Sequence, residues 1–179
     1  RENRKIAFVP TASGSAEYAL HIGKYFDGID SSIETINVPV YRDRDARRQK
    51  NSTLLSGAGM IYVGAGVTNQ LLEVLRGARA EAAMREAAGK NTIIAAIGAA
   101  ASSFGVYTRD MRGGGAPLPG VGWIARTVID SGFDPEQDTT LRRMMSMPDV
   151  DLGLGLPPST ALVVRGDGST EVIGPGKIA

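Results

Sequence analysis

The sequence predicts an α/β fold, a three-layer sandwich in which helices cover both faces of a mostly parallel sheet. Three observations predict it. Short apolar runs of strand length alternate with longer amphipathic segments as far as Phe104. The runs end in glycine or proline, the residues that turn a strand into the next helix. Beyond that point short β-rich runs follow one another closely, which predicts antiparallel strands at the C-terminal end.

Each element follows from its own pattern. Lys5–Val9 reads as a buried strand. Pro10-Thr-Ala-Ser-Gly14 is a turn, and Ser15 caps a helix running to about Gly28. Ile33–Val38 is the second strand, and a polar helix covers Asp43 to Ser56. Gly59–Val63 is a strand ending in Gly64-Ala65-Gly66. Thr68 then caps a helix with Leu71, Leu72 and Leu75 on one face. Gly77 interrupts it, and an alanine-rich helix runs to Ala88, with Gly89 as its stop. Thr92–Ile97, the most apolar run, is expected to be the most deeply buried strand; it ends at Gly98 and leads into Ala99–Phe104. Residues 110–122 are rich in Gly and Pro and read as a loop. Trp123–Ile129 reads as a strand and Asp138–Met147 as a helix. Leu152–Leu156, Thr160–Val164 and Thr170–Ile173 are short strands, the last two joined by a Gly166-Asp-Gly168 hairpin turn. With no linker or repeat, residues 1–179 are expected to form one domain.

Composition narrows the chemistry. The net charge of +1 gives no whole-molecule field for nucleic acid or anionic membrane. Arg42, Arg44, Arg47, Arg48 and Lys50 form a basic stretch, but Asp43 and Asp45 interleave with it, so a solvated helix face is expected and no nucleic-acid partner. The absence of cysteine excludes disulfides, thiolate metal sites and a Cys nucleophile. No metal and no cofactor are expected. No apolar run approaches the ~18 residues that span a bilayer, so the expected location is the cytoplasm. The single histidine, His21, lies in the first helix, so any Ser-His-acid mechanism must use that imidazole or have none.

Four segments in order carry a resemblance: Phe8-Val-Pro-Thr-Ala-Ser13; Ile61-Tyr-Val-Gly-Ala-Gly-Val-Thr-Asn-Gln-Leu-Leu72 with Leu75-Arg-Gly77; Ile97-Gly-Ala-Ala-Ala-Ser-Ser103; and Leu152-Gly-Leu-Gly-Leu-Pro-Pro-Ser-Thr-Ala-Leu-Val-Val164 with Glu171-Val-Ile-Gly174. Together they resemble the dipeptidase E and cyanophycinase family of serine peptidases, whose fold is like that of class I glutamine amidotransferases. The resemblance implies a P-T-A-S turn, a G-G-N turn that helps hold an oxyanion, a G-x-S-A-G-A nucleophile turn, and a catalytic His in a stretch ending H-F. The family's sheet also begins with a strand that is missing here or lies upstream of Arg1. That predicts an edge covered by another segment or subunit.

The departures from the family pattern bear on function. In register with that resemblance, Gly98 takes the first glycine of the nucleophile turn and the nucleophile position falls on Ala100, whose methyl group cannot attack a carbonyl. Ala100 is therefore expected at a strained strand-to-helix elbow. Ser102 replaces a glycine of the motif. The His position falls on Gly132, and the oxyanion turn reads Ala65-Gly66-Val67. Asp110 is left as an acid partner without a His. Ser102 and Ser103 are the fallback nucleophiles. Gly64, Ala65, Gly66, Ala101, Arg109 and Arg112 are the ligand-binding candidates, the arginines as forks for a carboxylate and Gly64 and Gly66 as either an anion turn or a plain tight turn. The sequence thus predicts a homologue lacking nucleophile and base. It would bind a small molecule, a peptide or a protein. The alternatives are a hydrolase with displaced catalytic groups and a structural subunit, as a homodimer or paired with an active paralogue.

Overall fold

The computed structural model describes residues 3–179. The chain divides into two compact units, residues 1–100 and 101–179, each described below by itself.

The first unit is built on a four-stranded parallel sheet. Strands β1 (Lys5–Val9), β2 (Glu34–Asn37), β3 (Met60–Val63) and β4 (Ile93–Ala96) lie in the order β2-β1-β3-β4. The chain steps from β1 to β2 on one side, then crosses to β3 on the other. The topological switch point therefore lies between the carboxyl ends of β1 and β3. Helix α1 (Ala16–Ile29) starts where expected, with the Ser15 hydroxyl accepting the Tyr18 N–H at 3.4 Å. Its Ala19 and Ile22 pack on Phe8, with Tyr18, Phe26 and Tyr62 around them. On the other face of the sheet Ala7, Val9, Ile61 and Val63 are fully buried, as strand alternation requires of a sheet covered on both sides.

The polar segment 43–56 forms two helices, α2 (Asp43–Ala46) and α3 (Gln49–Ser56), because Arg48 is extended (φ −73°, ψ 128°). The arginines of this stretch are tied to acids, Arg47 to Asp43 and Arg48 to Asp45. Helix α4 (Thr68–Leu75) buries Leu71, Leu72 and Leu75; Val67, not Thr68, is its N-cap, and it supplies no side-chain bond. Helix α5 (Arg79–Ala88) buries Ala80, Ala83, Met84 and Ala87. The expected deep burial of the strand after it is corrected. In β4 the Ile93 side chain is 62% exposed, and Ile97 just beyond it 46%. An edge strand has one neighbour, and an apolar sequence cannot bury itself without a second.

Helix α6 (Ala99–Ser103) carries the chain into the second unit. There β5 (Tyr107–Thr108) pairs antiparallel with β6 (Leu118–Pro119), a short ribbon whose second strand lies inside the segment expected to be loop. The strand expected at 123–129 runs instead over Thr127–Ser131 (β7), parallel to β8 (Leu152–Leu156). The residues before it are used otherwise: the Trp123 ring stands edge-on to Phe104, centroids 4.8 Å apart. Helix α7 (Thr139–Met145) follows a 3₁₀ turn, and Val128, Phe133, Leu141 and Met144 form the core of the unit. β9 (Ala161–Val164) and β10 (Thr170–Ile173) make the antiparallel hairpin. No helix among the described residues is long and apolar enough to cross a membrane.

Candidate functional site

The turn after β3 is the one matched to the family's oxyanion turn, with Gly64 and Gly66 as either an anion turn or a plain tight turn. Its glycines are required by packing. A Cβ at Gly64 would stand 2.8 Å from Tyr18 Cε1 and 2.9 Å from Phe8 Cζ. A Cβ at Gly66 (φ +154°) would run into the Ala12 backbone. The amides of this turn are also engaged: Gly64 N–H donates to Val9 O (3.1 Å) and Val67 N–H to Ala12 O (2.9 Å). The loops leaving β1 and β3 are thus bonded across the switch point. On the β2 side the Thr11 hydroxyl donates to Val40 O at 2.7 Å.

The bend after β4 lies at Gly98, and the expectation of an elbow at Ala100 is corrected. Gly98 has φ +58° and is the sole positive-φ residue between Thr92 and Phe104. Ala100 is the second residue of α6, fully buried, with its N–H donating to Ile97 O at 3.1 Å. A strand-to-helix elbow needs one residue in the left-handed region. The chain supplies a glycine there, two residues before the position that glycine-to-glycine matching indicates. A Cβ built on Gly98 would lie 3.3 Å from the Ala65 methyl carbon. Neither Gly98 nor Ala100 carries a hydroxyl.

In the second unit Ser102 and Ser103 are buried. The Ser102 and Ser131 hydroxyls are hydrogen-bonded at 2.9 Å, and the Ser131 N–H also donates to Ser102 Oγ at 3.3 Å. Gly132, the expected base position, has φ +74°, and a Cβ there would meet nothing within 4 Å. Asp110 spends one carboxylate oxygen on its own turn, accepting the N–H groups of Arg112 (2.9 Å) and Gly113 (3.0 Å). Arg109 and Arg112 are exposed on that loop, while Ala101 is half-buried. Asp130 is half-buried on β7; burial pushes its carboxyl above the usual aspartate range, and the Arg109 guanidinium pulls the other way. The Thr108 hydroxyl is buried without a hydrogen-bond partner. His21 is exposed on α1. Among the described residues no three His, Asp or Glu side chains are grouped to hold a metal.

Two features escaped sequence reasoning. Ser131, the partner of Ser102, precedes Gly132 in the stretch matched to the missing histidine, so its place was visible but its bond was not. Asp130 stands one residue earlier, and its half-buried state depends on tertiary packing.

This is the mixed α/β architecture, with a mostly parallel central sheet, seen in peptidases of the peptidase E type. Residues 1–172 match the model of peptidase family S51, and the chain belongs to that family. A peptidase from an acI-B1 Actinobacterium superposes with a TM-score of 0.82 at 20% identity, over 97% of this chain and 75% of that one. A putative peptidase E protein from Listeria monocytogenes EGD-e gives 0.68 at 15% identity, over 96% and 86%. No curated protein sequence matches the chain.

Proposed function

We propose that this chain is a non-catalytic member of peptidase family S51 that binds a ligand instead of hydrolysing one. One observation carries the reading: the bend that should present a nucleophile is Gly98, with the Ala65 methyl carbon 3.3 Å from where a side chain there would begin. A hydroxyl is absent at the bend, and a side chain placed there would press on Ala65. The base position, Gly132, has no side chain either. Loss of the nucleophile and base in well-studied serine peptidases leaves roughly 10³- to 10⁴-fold acceleration over water, owed to the oxyanion hole and binding. Here one amide of the corresponding turn, that of Val67, is already bonded to Ala12 O. The fallback nucleophiles fare no better, since Ser102 and Ser103 are buried and the Ser102 hydroxyl is bonded to that of Ser131. The binding part of the proposal rests on Arg109 and Arg112, exposed guanidiniums suited to a carboxylate on a small molecule or peptide.

The test is activity on Asp-X dipeptides and β-aspartyl-arginine, with fluorophosphonate labelling alongside. No turnover and no label are expected. Stoichiometric label at Ser102 or Ser103 overturns the reading in favour of a hydrolase with displaced groups.

A further inference from the structure

We draw no further inference here: the strongest candidate, the apolar patch that Leu162, Val164 and Val172 form on one face of the β9–β10 hairpin, with both valines about half exposed, carries nothing because nothing in the structure shows what covers it.

Discussion

Two glycines, Gly98 and Gly132, which the proposed reading places at the nucleophile bend and the base position, have different surroundings. Both have positive φ, +58° and +74°. Around Gly98 the space is tight, with Ala65 Cβ 3.3 Å from a would-be Cβ; around Gly132 it is open to 4 Å. The two turns are therefore unlike in kind: a side chain added at Gly98 would press on the neighbouring turn, while one added at Gly132 would meet nothing. Under the proposed reading, rebuilding a group at Gly98 asks more of the surroundings than rebuilding one at Gly132.

The largest effect should come from the turn that closes on Gly98. Gly66→Ala drives a Cβ into the Ala12 backbone, and backbone cannot step aside as a side chain can. A loss of about 3 kcal/mol or more in denaturant unfolding is expected; a variant as stable as the parent would show that the β1 and β3 loops are not held together as described.

Next in size is the contrast itself. Gly98→Ser and Gly132→Ala each place a side chain at positive φ, at a cost of about 1–3 kcal/mol. Only the first meets a neighbour. Ala65→Gly should relieve Gly98→Ser by about 0.5 kcal/mol or more in a double-mutant cycle and leave Gly132→Ala unchanged. Equal coupling to both would erase the distinction between the two turns. The same geometry says where a nucleophile would have to be rebuilt. Ala100→Ser puts a hydroxyl inside a buried helical turn, whereas Gly98 is the bend.

Ser102→Ala should cost about 1–2 kcal/mol, because it removes the acceptor of the Ser131 N–H and the partner of its hydroxyl. A neutral outcome would return Ser102 to the list of uncommitted hydroxyls.

The smallest effect is the pH dependence of Asp130. Its folded pKa is raised above the ordinary 3.8, chiefly by burial. A raised carboxyl binds its proton more tightly folded than unfolded, so its contribution is full below pH 3.8 and is lost as pH rises through the folded value. Asp130→Asn should therefore flatten a decline in stability across that window, read from urea midpoints at stepped pH. An unchanged profile would mean that the carboxylate is as well solvated folded as unfolded.

Much of the scaffold was legible because local pattern and tertiary role agree. The run Lys5–Val9 is buried wherever a sheet covers both faces, and Ser15 caps a helix in any context. The Gly-Leu-Gly alternation of Leu152–Leu156 suits one face closed by a helix. What was not legible depended on neighbours. The Thr92–Ile97 run looks like the deepest strand, but burial is decided by how many strands flank it. The helix over 43–56 breaks at Arg48, where polar residues give periodicity nothing to lose. Matching Gly98 to the first glycine of a motif followed residue identity, while the backbone needed that glycine at the bend. The bond between Ser102 and Ser131 joins positions 29 residues apart, a pairing that no local spacing encodes.

The packing of Trp123 against Phe104 has a practical consequence. It is the single tryptophan of the chain, and it lies in the second unit, whereas Tyr18, Tyr25, Tyr41 and Tyr62 lie in the first and Tyr107 alone among the tyrosines in the second. Emission excited at the red edge of the absorption band, where only indole absorbs, is a private optical channel for residues 101–179. Tyrosine near-ultraviolet dichroism is weighted to residues 1–100. Melting curves recorded in the two channels would coincide for a single cooperative transition and part company if each half melts on its own, so the unmodified protein carries the labels needed to count its folding units.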